Sequence, residues 1–240
     1  MGKKKKQNGK AAPAAVKAAP DYKKYIGLGL IPLAFFAVEA FGWVFLRGST
    51  GTRWPLVFGL LWTVILSAVV LGMPAKAGRI VFGLVYGLCA IYAVVETGYY
   101  ILFKEMMWLS DFRYASEGSD YFSVLLSYPI HWWLGILVLI GLGVAAVWLF
   151  PRGKYNWKQT VAAIVLFALA GNYAYRLPYD QFAQDKDVKF ARSDYGRMQS
   201  LEAAYENLFN THRLYQVCGL YQTLWKDIYA HSIYPLTPAY

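Results

Sequence analysis

Long unbroken apolar runs dominate this chain. Strict alternation is not seen. A helix needs about 20 apolar residues to cross the hydrocarbon of a bilayer. Five runs meet that length: about Tyr25–Leu46, Trp54–Met73, Ile80–Phe103, Ile130–Phe150 and Trp157–Tyr175. Their ends carry aromatic or basic residues, as at Tyr25 and Arg47, Arg53 and Trp54, Trp132 and Trp133, Trp157 and Lys158. That is the belt pattern of a membrane–water interface. Connections of roughly seven residues join spans one to two, two to three and four to five, which makes those neighbours antiparallel in a bundle. The connection from Lys104 to Pro129 is longer. Its apolar stretches, Met106 to Leu109 and Tyr121 to Leu126, predict short helices lying on the interface.

The pattern changes after the fifth span. Residues 180–192 are polar and read as a linker. Leu201, Ala204, Tyr205 and Leu208 then follow helical steps, and a second series runs through Leu214, Val217, Cys218, Tyr221, Leu224, Trp225 and Ile228. Asn210-Thr211 is a cap between the two, and Pro235 and Pro238 end the series. The expected organisation is all-α: a Lys-rich tail at 1–24, a five-helix transmembrane domain at 25–175, and juxtamembrane amphipathic linker helices at 176–240. Tyr221, Leu224 and Trp225 are the expected docking contacts of the tail.

Composition agrees with a bilayer protein. Hydrophobic residues make up 58% of the 240 and charged residues 16%, against roughly 25% charged in an average soluble domain. The net charge of +10 sits mostly in the first 24 residues, at Lys3 to Lys6, Lys10, Lys17, Lys23 and Lys24. These lysines are interleaved with Ala and Pro and not with aromatics that stack on bases. They read as a contact to anionic phospholipid headgroups, not to nucleic acid. The first apolar run is longer than a signal-peptide core and more spans follow, so the start reads as an anchor and not as a cleaved leader. Lys76, Arg79, Arg152, Lys154 and Lys158 lie in connections on the same side as that tail. The positive-inside rule then predicts a cytoplasmic N-terminus and an extracellular C-terminal segment in the cell membrane.

Chemistry-bearing residues are sparse. Glu39 and Glu96 lie inside apolar spans, where an ionisable group is costly. They could tie spans together, near Trp43 or Tyr99, contact a lipid or substrate headgroup, or line a proton or ion pathway. Gly83 and Gly87 form a GxxxG that predicts close helix packing, and Gly135, Gly141 and Gly143 thin the fourth span. His131, His212 and His231 are scattered, with His131 read as an interfacial side chain. Cys89 and Cys218 belong to different depths and predict no disulfide. No GxSxG, P-loop or HExxH occurs, so no catalytic, metal or cofactor residue is assigned.

The five-span layout and the segment DYGRMQSLEAAYENLFNTHRLYQVCGLYQTLWKDIYAHSIYPLTPAY at 194–240 resemble the membrane part and linker helices of the lipoteichoic acid synthase family of Gram-positive bacteria. The resemblance implies an extracellular sulfatase-like domain that transfers glycerol phosphate from phosphatidylglycerol to a cell-wall polymer. It also implies a threonine nucleophile and Mn2+ or Mg2+ in that domain, none of whose residues occur in these 240. The expected role is a membrane anchor and positioning module for such a transferase. A stand-alone scaffold whose outer tail binds a partner protein, or a small transporter subunit using Glu39 and Glu96, are the alternatives.

Overall fold

The computed structural model describes residues 22–46, 54–107, 124, 126–151, 156–178 and 211–229. Its elements are all helical: α1 (Tyr22–Phe45), α2 (Trp54–Leu71), α3 (Ala75–Phe103), α4 (Ile130–Trp148), α5 (Trp157–Leu177), α6 (Thr211–Cys218) and α7 (Leu220–Ile228). The first five are long and apolar enough to cross a membrane. The chain is a multi-pass membrane protein. Pro74 and Pro129 stand immediately before α3 and α4, positions where a missing N–H costs nothing. The Asn156 side chain caps α5 by accepting from the Lys158 N–H at 3.1 Å. α3 starts at Ala75, a full turn before the apolar run itself, because Lys76 and Arg79 extend the helix without crossing hydrocarbon.

Contacts at the helix ends fix the packing. Phe45 at the end of α1 stacks on His131 at the start of α4, 5.6 Å between centroids, so α1 and α4 are antiparallel. Thr160 at the start of α5 donates to the Gly72 carbonyl beyond the end of α2 at 2.7 Å, so α2 and α5 are antiparallel too. α1 is central and packs on α2, α3 and α4. Its Phe35 meets Phe82 edge-on at 5.4 Å and lies 6.1 Å from Tyr86. The Tyr86 hydroxyl donates to the Leu139 carbonyl at 2.6 Å and so locks α3 to α4.

The polarity is inverted relative to a water-soluble protein. Glu39, Glu96, Thr97, Gln222 and Asp227 are buried, while Leu88 is 69% exposed and Leu169 64% exposed on outward faces. Aliphatic faces of that kind suit lipid. The fourth and fifth helices bury the least and present the widest apolar faces.

Two expectations need correcting. Gly83 and Gly87 do not pack against a neighbouring helix: a Cβ placed on either meets nothing within 4 Å. The close approach of α3 and α4 falls instead at Gly143, where a Cβ would collide with the Tyr86 ring. Spacing alone cannot tell which face of a helix turns inward. Met106 and Met107 are also buried and stand outside any helix. Residues 108–123 and 125 of that connection, with the Lys-rich start to residue 21, the helical pattern at 201–208 and His231, lie outside the described residues.

Gly83→Ala should hold or raise stability by about 0.5–1 kcal/mol, since Ala is the better helix former. Gly143→Ala should lower it by about 1–3 kcal/mol through overpacking against the fixed Tyr86. Thermal unfolding of the two variants in the same detergent measures both.

Candidate functional site

The tail does not rest on the surface of the bundle. It enters it. α7 begins at Gly219, whose φ of 79° is available to glycine at little cost. No side chain of its own segment caps the helix. Its first amides point into the apolar interior, where an unpaired N–H is expensive. Glu39 of α1 meets them. Its carboxylate accepts from the Leu220 N–H at 2.7 Å, the Tyr221 N–H at 3.1 Å and the Trp43 indole N–H at 3.1 Å. All three neighbours donate and none accepts, which suits a group that offers acceptors only. Its oxygens also face the positive end of the α7 dipole. Glu39 lies six residues before Phe45, about 9 Å below the end of α1 at 1.5 Å per residue. The clamp therefore sits inside the bundle.

Two glycines make room for it. A Cβ on Gly219 would collide with Glu39 Oε1, and one on Gly59 of α2 would lie 2.7 Å from Glu39 Cγ. The carboxylate is wedged between α2 and the start of α7.

Side chains of the tail complete the seam. The Tyr221 hydroxyl donates to the Phe35 carbonyl at 2.7 Å. Trp62 of α2 donates to the buried Gln222 at 2.7 Å. Leu224 packs against the main core, and Trp225, 39% exposed, lies 6.0 Å from the Trp62 ring. In α6, Leu214, Val217 and Cys218 pack with Phe58 and Leu177 as a second apolar cluster. His212 lies 3.3 Å from the Leu46 carbonyl and stacks on Tyr100 at 4.6 Å. Burial holds its ring below the usual imidazole range. The Leu46 carbonyl opposes that shift and Arg213 reinforces it.

Glu96 does parallel work on α3. It accepts from the Met107 N–H at 3.1 Å and shares a hydrogen bond with Tyr92. It thereby holds the backbone that turns away from the end of α3. Beside it, Trp132 donates to Thr97 at 3.0 Å and Tyr128 to the Gly98 carbonyl at 2.9 Å.

The structure thus brings Glu39 together with Trp43 and Tyr221, and places Glu96 with Met107 and Tyr92. His131 stands at the tail-side end of α4, and Cys89 and Cys218 are buried and unbonded to each other. Gly219, Gln222, Trp62 and Gly59 belong to the same seam and carry no recognisable motif. Gly219 was the available signal, a lone glycine inside an apolar series otherwise legible as one helix. Among the described residues no group of three or more His, Cys, Asp or Glu could hold a metal ion. No family model, curated protein or solved structure matches this chain.

Cys218 is fully buried, so maleimide labelling in a Cys89→Ala background reports tail opening. Glu39→Ala or Gly219→Val should raise the labelling rate by about tenfold or more, the equivalent of losing at least one buried charge-assisted hydrogen bond. Rates equal to wild type would show that the tail does not depend on the clamp.

The depressed His212 ring binds fewer protons in the closed tail than in the open one. Closure is at full strength above the ordinary imidazole value of 6.5 and weakens as pH falls through it. Wild-type labelling, taken as a ratio to His212→Gln at each pH, should rise on acidification. A flat ratio would remove His212 from the seam's energetics.

Proposed function

We propose that this chain is the membrane anchor and positioning module of a lipoteichoic acid synthase-like glycerophosphotransferase, with its N-terminus cytoplasmic and its tail outside. The observation that carries the reading is the Glu39 clamp on α7. A segment leaving a bundle toward a catalytic domain sets that domain's height and orientation only if it is itself held. Here it is held by buried hydrogen bonds at Glu39 and by a half-buried contact of His212 with the Leu46 carbonyl. An enzyme acting on lipid headgroups gains rate from such tethering through effective concentration. The orientation is supported by Lys76, Arg79 and Lys158, which stand at the bundle end remote from the tail helices. The resemblance of residues 194–240 to the family's linker helices supports the identity of the domain served.

The transporter alternative is less well supported. Both oxygens of Glu39 are engaged by helix amides, and releasing them to carry a proton or ion would undock the tail.

An antibody against residues 194–210, applied to native membranes, tests the proposal. The expected result is a species far larger than 27.1 kDa, co-fractionating with transfer of labelled glycerol phosphate from phosphatidylglycerol. In that species Glu39→Ala should lower transfer from vesicle lipid by about tenfold while sparing turnover of a water-soluble substrate analogue. A single species near the mass of this chain, with no transfer activity, would leave the scaffold reading in its place.

A further inference from the structure

At the tail-side end of the bundle, α1, α3 and α4 enclose a cavity of about 410 Å³ that takes no part in the clamp. Its walls differ in character. Val44, Phe45 and Ile101 form an apolar side, and Lys104 and His131 bring nitrogen donors to it, with Tyr100 beside Lys104. Lys104 has a φ of 61° and is the one non-glycine residue with positive φ among the described residues. It closes α3 as a left-handed C-cap, its N–H donating to the Tyr100 carbonyl at 2.9 Å, and this fixes where the side chain leaves the helix. The turn keeps the Lys104 ammonium 5.8 Å from the Tyr100 ring centroid. His131 is held flat against Phe45, with 6° between the ring planes. The uncapped start of α4 at Pro129 adds the positive end of a helix dipole on the same side.

Two donors of positive or neutral charge above an apolar wall match an amphiphile with an anionic head. A free anion would use the donors and leave the wall wetted, whereas a lipid uses both. We propose that this cavity binds the phosphodiester headgroup of an anionic phospholipid in the tail-side leaflet. Lys104 and His131 contact the phosphate, and the first methylenes of the chains lie against Val44, Phe45 and Ile101. Lysine serves here as a point charge for phosphate. The site belongs to the bundle itself and does not depend on the transferase reading.

The test uses the purified chain in a neutral detergent, with native mass spectrometry counting bound lipid as phosphatidylglycerol is titrated. The expected result is one phosphatidylglycerol bound in preference to diacylglycerol. Lys104→Gly should weaken it by about tenfold, the loss of one charge-assisted contact, while Lys104→Arg keeps most of the affinity. Glycine suits the positive φ, so Lys104→Gly should melt at or above wild type, which separates lost binding from lost folding. His131→Gln, a substitution on an exposed ring, should weaken binding several-fold and provides a second reading. Wild-type affinity in both variants would overturn the proposal. So would equal binding of diacylglycerol, which would mark a merely apolar groove. Displacement of the lipid by inorganic phosphate at matching concentrations would mark a free-phosphate site and overturn it as well.

Discussion

Every N–H buried at membrane depth must find an acceptor, and the rest of this structure depends on how that rule is met at one place. α7 starts inside the bundle, so its first amides have no water to turn to. A helix start in water is capped by its own Ser, Thr, Asp or Asn. Here Gly219 leaves that position without a side chain, and the acceptor comes from Glu39, 181 residues away in sequence. The tail and the first span are thereby one unit. Neither can shift along the other without stranding a carboxylate and two amides in hydrocarbon.

The energetics favour the pair but penalise each half. A buried carboxyl group loses its hydration and recovers that loss only when its oxygens are well satisfied. Three donors at 2.7 to 3.1 Å and a helix dipole provide that. Removing the tail would leave Glu39 buried and almost unpartnered, with Trp43 alone. Removing Glu39 would leave the amides of Leu220 and Tyr221 bare. Such an arrangement contributes less to net stability than to uniqueness, because competing registers of the tail all contain an unsatisfied group. Glu96 applies the same solution to the backbone after α3, at lower stakes, with one amide and Tyr92. Intramembrane carboxylates are often assigned to transport; these two serve as acceptors for backbone that leaves the helical ladder.

The glycines sort by the face they occupy. Gly59, Gly143 and Gly219 lie where a Cβ would meet a neighbour, whereas Gly83 and Gly87 face open space. In a bilayer an outward glycine carries no hydration penalty, so a small-residue motif can persist on a lipid face without packing anything. Gly83 lines a groove between α3 and α4 beside Arg79, Tyr86 and Gly143, not a close helix–helix contact.

The sequence by itself determined the five spans, their aromatic ends and the all-helical class, because burial in hydrocarbon imposes a length and composition that no other constraint mimics. It also marked Glu39 and Glu96 as anomalous and offered Trp43 or Tyr99 as neighbours; Trp43 donates to Glu39, whereas Glu96 is held with Met107 and Tyr92. The tail was legible only as an amphipathic series. Its break at Gly219, its entry into the bundle and the seam from Tyr221 to Phe35 and from Gln222 to Trp62 were settled by tertiary structure alone. The reason is physical. Periodicity reports which residues share a face, and local composition reports which face avoids water. Neither reports which distant backbone amide an isolated carboxylate will satisfy, since that depends on where the other chain segments come to rest around it.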